Sequence, residues 1–407
     1  MVIAANLGFP RLGAQRELKL AHRRYFNGNI DANNLREVAA DIRLEHWMLQ
    51  HRQGIHHIPS NDFSLCDHVL DMACVTGAIP ERFGDFREKE IDLKSYFAMA
   101  YGTDELEPMQ SADWFDTGYT YIVPEFSLAT EFHYLSRKVV NEFLEAKAQG
   151  VHTRPVVLGP LSFLLLGSME GQANALALWP KLAPIYEELL QDLADAGANW
   201  IQMDEPYLAM DLPNGALEIY KQIYDKLAMV SGRLHLMVTT YFGDVSTRLE
   251  TILSPNIGGL HIDMVSAPQQ LEPILEQWSG KKALSIGIVD GRSIWRGDLT
   301  KMVKIVEKAA DAIGAQWVHV APSCTLLHLP IDLDVETELD TQLRGWLSFA
   351  KQKLAEVSTA ATGVSKGRSV IRSEMEANHL LLQQRAALQG EAEDEVTHFL
   401  QPDRLYV

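Results

Sequence analysis

Cysteine is scarce. Three thiols in 407 residues, Cys66, Cys74 and Cys324, with no Cys-x-x-Cys spacing, cannot supply a disulfide framework for a chain of this size, and reduced thiols suit a cytoplasmic protein. Positive charge is also short: 36 Lys and Arg against 54 Asp and Glu leave a formal net charge of -18, which repels a phosphate backbone and excludes nucleic acid as an expected partner. Long apolar runs are missing too. The longest, at 156–167, is broken by Gly159, Pro160 and Ser162 and falls well short of the roughly 20 residues that span a bilayer. The opening Met1-Val2-Ile3-Ala4-Ala5-Asn6 has no basic segment leading into an apolar run, so no export signal is expected. No Gly/Ser-rich linker or charge block divides the first 150 residues from those that follow. What is present, 47% hydrophobic and 22% charged residues, is the composition of an ordinary globular protein with a sizeable core. The length admits one elaborated barrel-sized domain or two smaller ones.

From about residue 150, short apolar runs alternate with longer amphipathic ones. Strands are expected at 155–159, 199–203, 233–240, 258–263, 282–288 and 316–321, and helices at 183–196, 217–229, 269–278, 299–313 and 336–354. The first 150 residues add expected strands at 3–7 and 55–59 and helices at 16–26 and 33–51. Eight strands alternating with helices predict an α/β fold, a (β/α)8 TIM-type barrel over residues 1–360 with inserted N-terminal helices. Residues 361–407 are expected to form a helical C-terminal tail, with a helix over 364–388 and a solvated acidic run at 390–395.

In parallel βα folds the chemistry collects at the carboxyl ends of the strands, and those positions are polar here. Asp204 and Glu205 follow Ile201-Gln202-Met203; Thr240, Tyr241 and Phe242 follow Val238; His261 and Asp263 alternate on one strand and so share a face. Asp290, Arg292, Trp295 and Arg296 follow Val289, and Cys324 follows Pro322-Ser323. Asp204, His261, Asp263 and Cys324 are therefore the candidate catalytic groups, for acid-base or metal chemistry. Each also admits a structural role: Glu205 can cap a helix, a strand-end histidine can bond a neighbour, and a lone cysteine can serve as a small buried apolar group.

These segments, with Leu7-Gly8-Phe9-Pro10-Arg11-Leu12-Gly13, Arg16-Glu17-Leu18-Lys19, Pro59-Ser60-Asn61-Asp62-Phe63 and Pro322-Ser323-Cys324-Thr325-Leu326-Leu327-His328, closely resemble the N-terminal half of cobalamin-independent methionine synthase, in order over residues 3–355. The resemblance implies a barrel descended from an internal duplication, in a family that methylates homocysteine from a methylfolate polyglutamate and carries its catalytic zinc in the C-terminal barrel. The family's zinc ligands are a His-x-Cys pair, a Glu and a later Cys; the duplication-equivalent positions here are Thr240, Phe242, Asp263 and Cys324, so that zinc site is not expected in this chain. The family's polyglutamate contact through Arg-Glu-Leu-Lys maps to Arg16 and Lys19, three apart on one helix face. A second family lysine, before Trp-Phe, is replaced by Asp113, opposite in charge. Arg11, Arg16, Lys19, Asn61, Asp62, Tyr241, Arg292 and Trp295 are the candidate ligand-binding residues.

Three roles follow. The chain is a methionine-synthase-related barrel that binds a folate-type or other small anionic ligand and works with a separate zinc-containing barrel; or a standalone barrel enzyme acting on a different small substrate; or a non-catalytic regulatory barrel. Fold and ancestry alone do not choose among them.

Overall fold

Parallel pairing passes from each strand to the next in chain order. In a computed structural model that describes residues 1–87, 89–171 and 173–387, the strands are β1 (Ile3–Ala4), β2 (Ile58–Ser60), β3 (Thr153–Leu158), β4 (Trp200–Asp204), β5 (His235–Thr239), β6 (Gly259–Asp263), β7 (Ala283–Val289) and β8 (Val318–Pro322). β8 pairs with β1, and Ala5 bridges His57 in parallel, with Asn6 N–H donating to the His57 carbonyl at 3.0 Å. The ring is closed, which leaves no strand edge unpaired. The (β/α)8 barrel read from the sequence is the observed fold.

Each strand forms where β-branched and apolar residues run unbroken. β7, Ala-Leu-Ser-Ile-Gly-Ile-Val, is buried throughout, as a strand covered on both faces must be. Outside it, α11 (Leu299–Ile313) buries Leu299, Met302, Val303, Val306 and Ala309, one stripe at helical spacing, and Asp298 caps its start by accepting from Lys301 N–H. α7 (Trp179–Ala196) and α8 (Ala216–Ser231), packed on each other, bury stripes of their own, Leu182, Tyr186, Leu189 and Leu193 on the first and Tyr220, Tyr224 and Leu227 on the second; the shorter α9 (Leu249–Leu253) and α10 (Leu271–Gln277) follow.

The strand expected at 155–159 is β3, and one helix expectation fails. The apolar run at 156–167 is a strand and then a helix, because Gly159 ends β3 and Pro160, at a first-turn position that needs no N–H, opens α6 (Pro160–Leu166). The single helix expected over 336–354 is instead α12 (Thr341–Trp346) and α13 (Ala350–Lys366). Between them the chain is extended: Arg296 N–H donates to the Trp346 carbonyl at 2.8 Å and Ser348 N–H to the Ile294 carbonyl at 2.7 Å, so pairing with the 294–296 segment replaces the helical bonds. α13 then packs on β1, β8 and α11, and the barrel boundary placed at residue 360 falls inside it. The tail helix, α14 (Arg372–Ala387), begins after Gly367 at φ 96° and a short 3-10 turn rather than at 364. The acidic run at 390–395 lies outside the described residues.

The N-terminal insertions are richer than the sequence pattern indicated. α1 (Glu17–Phe26) and α2 (Ala32–Arg52) separate β1 from β2. α3 (His68–Thr76), α4 (Leu93–Tyr101), a two-stranded hairpin (Ser111–Asp113 with Thr120–Ile122) and α5 (Lys138–Ala148) separate β2 from β3. Leu18, Leu35, Leu70, Phe97 and Met99 join α1 to α4 in a second apolar cluster beside the barrel. No described helix is long and apolar enough to cross a membrane.

On α2, His46 is 7% exposed and packs its ring on Phe9 at 4.8 Å. Burial pushes its imidazole down to about 4 from 6.5. Between those values the unfolded chain binds a proton there and the folded chain does not, so this group's contribution to stability falls as pH drops below about 6.5. His46→Phe should therefore lose less stability than the parent between pH 6.5 and 4.5, by about 2 kcal/mol in denaturant titrations. Equal losses in both proteins would overturn this assignment.

Candidate functional site

One chain of polar groups runs up the inside of the barrel. Arg154 on β3 is 1% exposed, and its Nη2 donates to the Asn6 carbonyl at 2.9 Å and to Gln202 Oε1 at 2.7 Å. A guanidinium only donates, so the Gln202 amide must turn its oxygen to Arg154 and its nitrogen outward. That nitrogen donates to the Leu7 carbonyl at 2.9 Å and to Asp204 Oδ1 at 2.8 Å. The other oxygen, Asp204 Oδ2, receives the Tyr241 hydroxyl at a long 3.4 Å. Gln202 and Asp204 share a face of β4 because strand side chains alternate. Asp204 is half-buried and lines a narrow cavity with Asn61, His68, Asp71, Val156 and Leu158. Burial raises its carboxyl to about 7, against the lowering effects of Gln202, Arg154 and Tyr241. Near neutral pH it exists in both forms, the condition for proton transfer.

The other strand-end groups are held by the protein itself. Glu205, fully buried, accepts from Leu161 N–H at 3.2 Å, Ser162 N–H at 2.7 Å and the Tyr224 hydroxyl at 2.9 Å. It thus holds the start of α6, which follows β3, rather than the next helix in the chain. A side chain on Gly159 would meet its carboxyl carbon at 2.2 Å, so β3 must end in glycine for Glu205 to fit. His261 is buried, with Nδ1 2.8 Å from Ser285 Oγ and Nε2 3.3 Å from the Ser323 carbonyl, and burial pushes it down to about 3. Asp263 accepts from Phe242 N–H at 3.0 Å through one oxygen, and from Val265 and Ser266 N–H at 2.8 and 2.9 Å through the other. Cys324 is fully buried, and desolvation pushes its thiol well up. Of the four catalytic candidates, Asp204 is the one with a half-exposed, weakly partnered oxygen.

The ligand-binding candidates disperse. Asn61, at φ 61°, donates to the Val156 carbonyl at 2.7 Å and accepts from Lys138 Nζ at 2.8 Å; Asp62 accepts from Phe9 N–H at 2.8 Å and is raised by burial to about 6. Arg11 donates to the Cys66 carbonyl, Arg16 is exposed at the start of α1 with φ 64°, and Lys19 is half-buried one turn on. Trp295 lies away from this group, under the Arg385 guanidinium of α14 at 3.8 Å and against Leu347.

Arg292 meets the hairpin that crosses the barrel mouth. Its Nη1 pairs with Asp116 Oδ1 at 2.8 Å and its guanidinium lies 5.1 Å from the Phe242 ring. Phe115, from the same hairpin, sets its ring 5.7 Å from Phe242 and 5.5 Å from Tyr207, while the Tyr119 hydroxyl donates to the Leu327 carbonyl at 2.7 Å. Phe115 and Phe242 both adopt left-handed φ, 52° and 72°, a backbone cost that this aromatic contact offsets. Arg154, Gln202, Phe115 and Asp116 were not singled out from the sequence. An arginine inside an apolar strand run and a glutamine two residues before Asp204 were the available signals.

Thr240, Phe242 and Asp263 are occupied within the protein. Thr240 donates its hydroxyl to the His261 carbonyl at 2.7 Å, Phe242 has no lone pair to offer, and both Asp263 oxygens accept backbone N–H groups. Among the described residues no set of three or more His, Cys, Asp or Glu side chains is arranged to hold a metal ion.

Residues 3–314 match the family described as cobalamin-independent synthase, N-terminal domain. The chain belongs to this family. The match takes in β1 to β7. Curated relatives include 5-methyltetrahydropteroyltriglutamate–homocysteine methyltransferases of Parvibaculum lavamentivorans, 44% identical over 95% of this chain and 51% of that protein, and of Salinibacter ruber, 45% identical over 89% and 48%. The chain thus spans about half the length of these relatives. Among solved structures, a vitamin-B12 independent methionine synthase from Listeria monocytogenes, described as putative, superposes with a TM-score of 0.60 at 14% identity, over 89% of this chain and 99% of that one. A B12-independent methionine synthase from a Shewanella species, in complex with selenomethionine, gives 0.56 at 15% identity, over 93% and 98%. At these identities the structures attest the barrel fold alone.

Tyr241→Phe removes the one donor on Asp204 Oδ2. Because that bond favours the ionised form, the Asp204 midpoint should rise above about 7 in a carboxyl carbon-13 NMR titration. A midpoint that stays or falls would show that Tyr241 does not act on this group.

Proposed function

We propose that this chain is the ligand-holding barrel of a two-barrel methyl-transfer system in methionine biosynthesis, binding a folate-type anionic ligand and relying on a separate zinc-containing barrel for the chemistry. The observation that carries this reading is the extent of the match: nearly the whole chain aligns with about half of relatives named as methyltransferases acting on methyltetrahydropteroyltriglutamate and homocysteine. Methylating a thiol near neutral pH requires the thiolate, which zinc stabilises without redox chemistry. Thr240, Phe242 and the internally bonded Asp263 do not offer that activation. The supporting role is therefore the one this chain's own residues suit.

A second reading rests on Asp204. Its titration near neutrality and its weakly held Oδ2 suit a standalone acid-base enzyme on another small substrate. The two readings separate in one experiment, a methyl-transfer assay with methylfolate triglutamate and homocysteine, with metal analysis, in the presence and absence of a separate zinc barrel. The chain alone should give no methionine, and adding the zinc barrel should give turnover. Stoichiometric zinc with turnover by the chain alone would sink the first reading.

Tail recognition is tested at Asp113. This residue is exposed on the hairpin directly before Trp114. Asp113→Lys replaces repulsion of a polyanionic tail by attraction, so affinity for folate triglutamate should rise about three- to tenfold, and the gain should shrink at high salt. If the parent already prefers triglutamate over monoglutamate strongly, Arg16 and Lys19 suffice without it.

A further inference from the structure

The end of the barrel opposite Asp204 carries a second polar group of side chains that the proposed function leaves unused. It is built at the amino ends of the strands: His57 just before β2, Arg154 in β3, Trp200 at the start of β4, His235 at the start of β5 and His319 in β8. Barrel interiors at this level are ordinarily filled by branched apolar side chains. Here rings face one another instead. His57 lies 4.9 Å from His319 and 5.5 Å from Trp200, and Trp200 lies 4.9 Å from His235 and 5.5 Å from His319, centroid to centroid.

Exposure is graded across the group. His235 is exposed and His57 and Trp200 are half-buried, whereas His319 is 3% and Arg154 1% exposed. The rings thus form a rim, and beneath it lie the imidazole of His319 and the guanidinium of Arg154, whose Nη1 is 3.4 Å from His57 Nδ1. Two nitrogens on this floor, Arg154 Nε and His319 Nδ1, are buried and have no hydrogen-bond partner among the described residues. Buried donors are ordinarily paired, and a buried charge is ordinarily met by its opposite. Arg154 makes no ion pair with a described carboxylate; the charge that acts on it is that of Asp204, one amide away through Gln202. The ionisable groups that act on His57 are all basic: Arg154, His319, His56 and His152. Those that act on His319, namely Arg154, His261 and His56, are basic too.

We propose that this funnel at the amino-terminal end of the barrel binds a small inorganic anion, of phosphate or chloride size, held by Arg154 Nε and His319 Nδ1. In a chain of net charge -18, a place where the ionisable groups acting on both His57 and His319 are basic is one to which an anion is drawn. Without the anion, burial keeps His57 and His319 neutral; a bound negative charge favours their protonated forms, so binding takes up protons and tightens as pH falls.

The test is isothermal titration calorimetry of inorganic phosphate, sulfate and chloride, each into the full chain in a chloride-free zwitterionic buffer at pH 6 and pH 8. At least one anion should bind saturably at one site with a Kd below about 10 mM, and more tightly at pH 6. Preference for the oxyanions or for chloride identifies which the funnel takes. His319→Phe keeps the ring and removes the unpartnered nitrogen, and Arg154→Lys keeps the charge and removes Nε; each should weaken binding about tenfold. Lys304→Ala, an exposed basic residue on α11 with no part in either site, should leave it unchanged. If Arg154→Lys fails to fold, His319→Phe decides alone, with its unfolding midpoint as the check on structure. Absence of saturable binding for all three anions, or equal affinity in His319→Phe and the parent, overturns the proposal.

Discussion

A guanidinium cannot accept a hydrogen bond, and burying one inside a closed barrel dictates the polarity of what surrounds it. Arg154 takes the Asn6 carbonyl from the segment after β1 and the Gln202 amide oxygen from β4, so three strands are tied through one side chain. With its oxygen committed, Gln202 can only donate toward the barrel mouth, and Asp204 must therefore present an acceptor at Oδ1. Protonation of Asp204 is confined to Oδ2, the oxygen nearer Tyr241 and the cavity. The orientation of the candidate acid is thus settled two residues below it, by a charge that never reaches the site. Removing Arg154 would free the amide to flip and unlink both ends of the barrel at once.

The strands and their order were legible because a parallel barrel buries every strand on both faces, which writes continuous apolar runs into the sequence. β6 and β7 fall within one or two residues of their expected ranges for that reason. Elements made by contact rather than by pattern were not legible. Extended backbone at Leu347–Phe349 exists because it pairs with the 294–296 segment, and nothing in the local sequence announces that partner. The mouth-crossing hairpin is similar: it is held by the Arg292–Asp116 ion pair, hydrogen bonds from Tyr119 and Tyr121 to the Leu327 and Leu166 carbonyls, and ring contacts between residues far apart in the chain. Periodicity reports which face is buried, not what buries it.

Site residues divide along the same line. Asp204 and Asp263 close their strands as expected, whereas His261 falls in the middle of β6 and Cys324 two residues past β8. Position could not say where their polar atoms are spent. Asp263 shows the difference: two short backbone bonds behind it and one from Phe242 fold the strand-end loops around the carboxylate, so an acidic residue in a catalytic location is fully engaged in holding Phe242 at its left-handed φ. Phe242 in turn supplies the ring on which Phe115 and Arg292 rest. The Asp263 carboxylate thus supports an aromatic cover over the barrel mouth.

That cover bears on what the barrel can take in. Phe115, Tyr207, Phe242 and the Arg292–Asp116 pair lie over the mouth, and the narrow cavity at Asp204 is lined by Asn61, after β2, and by His68 of α3. Asn61 is already bonded to Lys138 and the Val156 carbonyl, so the cavity favours a rigid, small visitor over a large substrate that must displace it. A long anionic ligand would instead lie outside the cover, along the exposed ends of α1 and the hairpin where Arg16, Lys19 and Asp113 are found. For such a ligand the charge carried on that outer surface, at position 113 among others, would weigh on affinity more than the chemistry at Asp204.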